Sequence, residues 1–188
     1  MVSNAAAPGR LELVRRFVNS RDIEADKEDL DSPQALGAWL HAEGLLERAG
    51  SVTPAHHRAA IALREAFRAA LAANHDLGPI PDEALAVLNT ALAQAKFDLR
   101  VDASHRLGME PTGPGVSGAL GALLVIMNDA SADGTWRRLK VCANDGCQWA
   151  FYDRSRARSG TWCSMGLCGN RSKQRAWRQR ATADARPS

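Results

Sequence analysis

The chain has 188 residues, of which 45% are hydrophobic and 24% charged, an ordinary globular mixture that excludes a disordered class and can bury a core. Its longest nearly apolar run, Gly118 to Met127, is about half of the ~20 residues that a membrane span needs, and MVSNAAAPGR lacks a basic start followed by an apolar stretch. The sequence therefore predicts a cytoplasmic protein with no membrane association. The formal net charge of +3 conceals a division: residues 1–136 hold 12 Lys and Arg against 18 Asp and Glu, whereas residues 137–188 hold 12 against 3. A mildly acidic body thus precedes a basic module, which points to a polyanionic partner for the second part.

The body reads as helical. Leu11, Leu13, Val14, Phe17 and Val18 fall on one helical face and predict a first helix. The charged stretch from Arg21 to Asp31 reads as a solvated loop. Ser32-Pro33 and Thr53-Pro54 each place a capping side chain before a proline at the first helical position. The first pair opens a helix carrying Leu36, Trp39 and Leu40, with Gly44 as its stop. The second opens a helix carrying Leu63, Phe67, Ala70 and Leu71. After a loop over 74–81, Leu85, Leu88, Leu92 and Ala95 form the stripe of a fourth helix. Leu99, Val101 and Ala103 alternate with polar residues and predict a short strand, and Met109 to Gly118, with two prolines and three glycines, reads as a connection. Val116 to Ala130 predicts a buried helix, and Ser131 to Gly134 a turn at the domain boundary.

All four cysteines lie in the basic part, spaced C-x(4)-C-x(15)-C-x(4)-C over Cys142, Cys147, Cys163 and Cys168. Two close pairs across a medium spacer suit a tetrahedral zinc site, each pair forming a knuckle that presents two thiolates. Two disulfides would fit the even count, but a cytosolic chain is kept reduced. Four thiolates leave no position for water, so the zinc is expected to be structural and single. Residues 139–141 and 149–152 predict the arms of a short β-ribbon, and residues 170–180 a helix. Arg154, Arg156 and Arg158 alternate in the spacer, and Arg171, Arg175 and Arg178 recur at helical spacing with Lys173 and Arg180 beside them. One or two of these cations would balance the charged thiolate cluster; the rest are candidates for phosphate contact. Trp149, Phe151 and Trp162 suit a miniature core, while Tyr152 and Trp177 are the better candidates for stacking on bases.

These residues are similar to a known arrangement. Val141-Cys142-Ala143-Asn144, Trp149 to Asp153, Arg158-Ser159-Gly160 and Trp162 to Met165 lead into Cys168-Gly169-Asn170-Arg171, which resembles the CGNR zinc finger. The body resembles the ABATE domain that precedes this finger in bacterial proteins described as stress-induced transcription regulators. Phe17 to Asp22, Ala38-Trp39-Leu40, Gly44-Leu45-Leu46 and Leu63 to Arg68 carry that likeness. Ser20 stands where a threonine is commoner. The resemblance implies DNA binding through the finger. Within the motif, Gly169 permits a tight exit from the knuckle and Asn170 suits a helix N-cap. Arg171 would then either hydrogen-bond a cysteine sulfur or reach a phosphate.

The expected architecture is mainly α: a helical domain over 1–134, a zinc-binding module of β-ribbon plus basic helix over 135–182, and a frayed tail over 183–188. Asn19, Arg21, Asp22, Arg64 and Arg68 are polar residues beside apolar faces. They read as surface ion pairs and caps or, in the sharper reading, as a pocket for a small-molecule effector. The body would then serve sensing or homodimerisation. The five histidines show no metal spacing. No nucleophile–base pair, phosphate loop or open metal site is visible, so an enzyme is not expected. Two functions remain: a DNA-binding transcription regulator, or a zinc-stabilised module that binds RNA or protein. Chelation is expected to unfold residues 137–180 and leave the helical body standing.

Overall fold

The computed structural model describes residues 6–48, 52–105 and 107–174. Arg175, Trp177, Arg178, Arg180 and the 183–188 tail lie outside the described residues. Five helices form the body: α1 (Leu11–Val18), α2 (Pro33–Ala42), α3 (Pro54–Ala73), α4 (Asp82–Ala95) and α5 (Gly115–Ala132). Both predicted caps are present. The Ser32 side chain accepts from the Ala35 N–H, and Thr53 forms a reciprocal capping box with His56, each satisfying donors left open at a helix start.

The body is assembled around α5, which meets α1, α3 and α4. By length and composition α5 is apolar enough to cross a membrane, with a mean hydropathy of 1.3 over 18 residues, yet Leu120, Leu123, Leu124 and Ile126 are buried in the common core. Phe17 stacks obliquely on Trp39 at 5.4 Å and meets Phe67 edge-on at 6.4 Å, and Phe67 in turn lies 6.1 Å from Trp136. These ring pairs carry the core from α1 and α2 through α3 to the start of the cysteine module.

Among the described residues three antiparallel hairpins accompany the helices. β1 (Arg21–Asp22) pairs with β2 (Lys27–Glu28), so the charged stretch expected as a loop contains a hairpin. β3 (Phe97–Val101) pairs with β4 (Leu107–Pro111), which corrects the reading of Met109 onward as a connection. Pro111 is tolerated because it stands opposite Phe97 in a pair that exchanges no hydrogen bond, its nitrogen turned away from β3. After a single 3₁₀ turn at Trp136–Arg138, β5 (Leu139–Val141) pairs with β6 (Ala150–Tyr152) as the expected ribbon. Leu139, Val141 and Ala150 of this ribbon belong to the same core cluster as the helices. Alternation explains it: these three side chains face the body, while Lys140 and Phe151 lie on the opposite face, where Phe151 packs with the cysteines. Tyr152, expected to be exposed, packs partly buried against the body core.

Candidate metal centre and basic surface

The ribbon delivers Cys142 directly from the end of β5, fixed by its N–H donating to the Trp149 carbonyl at 2.9 Å. Asn144-Asp145-Gly146 makes the predicted turn, and the Cys147 N–H closes it on the Asn144 carbonyl at 2.8 Å. Cys163 and Cys168 sit on a second knuckle. There the Ser164 hydroxyl accepts from the Leu167 N–H, and a single wide π-type turn over Met165–Gly169 leads into helical backbone at 170–174. Ser164 is therefore the cap of this segment. Asn170, expected in that role, sits one turn later and donates its side-chain amide to the Gly166 carbonyl at 3.0 Å.

The four sulfurs converge. All are buried, all lie within 4.8 Å of one another, and Cys163 Sγ stands 3.7 Å from both Cys147 Sγ and Cys168 Sγ. A tetrahedron with arms of ~2.3 Å has edges of about 3.8 Å, so the set fits one Zn²⁺; a disulfide would need sulfurs ~2.05 Å apart. The protonation chemistry agrees. Hydrogen bonds from the Cys147 and Cys163 thiols lower Cys142 to about 2, while the hydrogen bonds to that thiolate push Cys147 up to about 12 and raise Cys163 as well. One thiolate makes ionisation of its neighbours costly, and a dication in their midst removes that conflict. The structure thus shows a site that can hold one zinc ion on Cys142, Cys147, Cys163 and Cys168. Trp149, Phe151 and Trp162 pack around these sulfurs as the small core expected of them.

A second device was not read from the sequence. Lys140 is buried, and its ammonium lies 3.1 Å from Asp153 Oδ2 and 2.5 Å from the Arg158 carbonyl. Asp153 also accepts from the N–H groups of Ser155 at 2.9 Å and Gly160 at 2.7 Å. Burial pushes the Asp153 carboxyl up, but these hydrogen bonds and the lysine outweigh it and hold it at about 2. Gly160 allows the approach, since a Cβ there would stand 2.7 Å from the Asp153 carboxyl carbon. The pair folds the arginine-bearing spacer back onto the ribbon. Asn144 contributes too, its amide pointing at Cys168 Sγ from 3.9 Å.

The five residues read as a possible effector pocket are engaged elsewhere. Asn19 acts as a peptide mimic on the open edge of β6, donating to the Ala150 carbonyl at 2.9 Å and accepting from its N–H at 2.7 Å. Arg68 donates to the Gln148 carbonyl at 2.9 Å and the Val18 carbonyl at 2.8 Å. Arg64 clasps Glu28 with two bonds at 2.6 and 2.8 Å. Arg21 pairs with Asp26, and Asp22 accepts from the Ala25 N–H. Asn74 and His75, at the end of α3, hold the carbonyls of Leu139 and Val141. The polar face of the body is thus a seam that grips the finger's backbone, and among the described residues no buried side-chain polar atom lacks a partner. Replacing Asn19 with Ala should lower stability by about 2–6 kcal/mol, because it strands both backbone groups of Ala150 at ~1–3 kcal/mol each; urea midpoints with an unchanged slope check this.

The predicted phosphate contacts divide into two sets. The side chains of Arg156, Arg158 and Lys173 are exposed, and among the described residues none makes a hydrogen bond or ion pair. Arg154 donates to the Ala6 carbonyl at 2.8 Å. Arg171 makes no hydrogen bond to a cysteine sulfur among the described residues; it reaches across to Glu24 in the β1–β2 turn, a half-exposed pair in which the carboxylate raises its basicity. Arg138 is internal to the module, donating to the carbonyls of Asp153 and Ser155.

The comparisons agree with the geometry. The CGNR zinc finger family model matches residues 138–181. The ABATE family model, described as "Putative stress-induced transcription regulator", matches residues 11–133. No curated protein matches the chain. The helical body gripping a four-cysteine finger along one polar seam is therefore the structure of a member of the ABATE family, with a CGNR zinc finger at its C-terminal side.

Proposed function

We propose that this chain is a cytoplasmic transcription regulator that binds duplex DNA through the basic face of its zinc finger. One observation supports the reading above others. Arg156, Arg158 and Lys173 are exposed and without a side-chain partner among the described residues, on a module whose zinc-binding knuckles fix the backbone that carries them. Arg154 and Arg171 stand beside them with exposed partners, and an exposed ion pair is worth only about 0–1 kcal/mol, so phosphate can replace Glu24 at little cost. Arg175 and Arg178 extend the same helical register in sequence. The body serves as the platform that orients the finger.

Mapping of genomic fragments bound by the zinc-loaded chain should return a restricted set with a shared sequence. The R156A/R158A variant should keep its zinc and lower the slope of log K against log salt by roughly 0.9 for each phosphate that it no longer neutralises. Unchanged affinity and slope in this variant would exclude the spacer face. Equal affinity for single-stranded RNA would favour the RNA-binding alternative.

A further inference from the structure

The β3–β4 hairpin carries an apolar face that the fold does not use. Cross-strand partners share a face, so Phe97, Leu99 and Val101 lie with Pro111, Met109 and Leu107. The base of this face rests on α5, where a Cβ on Gly121 would come within 3.5 Å of the Phe97 ring. Beyond the base, Leu99, Val101 and Leu107 are 66%, 69% and 68% exposed. The two edges of the hairpin differ. β4 lies beside α5 and bears Pro111, which has no N–H to offer. Among the described residues β3 pairs with no other strand, and the Phe97–Pro111 pair exchanges no hydrogen bond, the bonded pair being Lys96 with Thr112. By alternation the N–H and C=O groups of Phe97, Leu99 and Val101 therefore point out of the open edge.

We infer that the β3 edge pairs antiparallel with the β3 edge of a second copy of this chain, about a two-fold axis through Leu99. The charge pattern selects this occupant. In the single hairpin Asp98 stands directly opposite Glu110, a destabilising like-charge pair. Arg100 lies 3.5 Å from Glu110 and 3.9 Å from Asp98. In the paired edges Asp98 faces the second copy's Arg100 on both sides of the axis, leaving each Arg100 close to its own Glu110. Leu99 then meets Leu99, and Phe97 meets Val101. The outward-facing hydrogen-bonding residues of β3 are those that this register requires. A four-stranded sheet with one continuous apolar face results, and this inference does not depend on DNA binding.

The test uses the zinc-loaded full chain in sedimentation across roughly 1–100 µM, spanning the weak end of the micromolar-to-picomolar range that protein interfaces cover. The wild type should form dimers. R100D, which sets like charges opposite Asp98, should sediment as a monomer, and the charge swap D98R/R100D should restore the dimer. Under mild oxidation L99C should cross-link, because Cα atoms of a hydrogen-bonded pair lie ~5.5 Å apart, within disulfide reach. V101C, offset by four residues from its own copy, should not. A wild-type monomer throughout, a dimer indifferent to R100D, or cross-linking of V101C in place of L99C would each overturn the inference.

Discussion

Removing zinc is expected to weaken the helical body as well as unfold the finger. The finger's own core consists of little more than the four cysteines, Phe151, Trp149 and Trp162, and a structural zinc site contributes ~10–16 kcal/mol to modules of this kind. Without it the knuckles cannot hold. The body then loses the backbone partners of Asn19, Arg68, Asn74 and His75, and the ribbon side chains Leu139, Val141 and Ala150 leave the shared core. From sequence alone the helical body is expected to remain standing. The structure instead predicts that it stays helical but melts at a clearly lower temperature. Far-ultraviolet circular dichroism with and without chelator, and on the C163S variant, measures this. Equal melting temperatures for the body with and without zinc would show that the seam contributes nothing.

Replacing Asp153 with Asn should cost about 3–5 kcal/mol, the range for breaking a buried ion pair by removing one partner. Lys140 would keep its charge while facing only neutral acceptors, the carbonyls of Arg158 and Gly160 and at most the new amide oxygen. The double replacement K140M/D153N should recover a large part of that loss, because no uncompensated charge is then buried. Full recovery is not expected, since Asp153 also anchors the Ser155 and Gly160 N–H groups. Denaturant unfolding of the wild type and the two variants, all zinc-loaded, provides the comparison. A D153N loss below about 1 kcal/mol, the scale of an exposed pair, would mean that the ammonium is solvated.

The helices and the metal ligands were legible because their signals are local. Ser32-Pro33 and Thr53-Pro54 act within one turn, and the cysteine spacing carries the knuckle geometry in itself. The seam was not legible, since its partners are far apart in the chain: Asn19 meets Ala150 and Arg68 meets Gln148. Sequence marked polar residues of the body but could not say that Asn19 and Arg68 bond the finger while Arg21, Asp22 and Arg64 bond within the body. Lys140 escaped notice among the basic residues, although the alternation Leu139-Lys140-Val141 in a ribbon already turns its side chain to the face opposite the body core. β4 was missed because Pro111 and its neighbouring glycines read as a break, whereas a proline at a non-hydrogen-bonded edge position does not stop a strand. Asn170 was a reasonable cap by type, but Ser164 lies nearer the start of the turn and closes it first.

DNA binding by the zinc-built basic face of the finger is open to direct measurement. The most direct measurement is a fluorescence anisotropy titration of labelled duplex DNA with the full chain, zinc-loaded and chelated, across a salt series. The zinc-loaded chain should bind with a log–log salt slope steeper than about −2.7, which corresponds to at least three neutralised phosphates at ~0.9 each. Chelation should abolish all but a weak residue of that binding. A slope near zero, or equal affinity before and after chelation, would contradict DNA binding by that face.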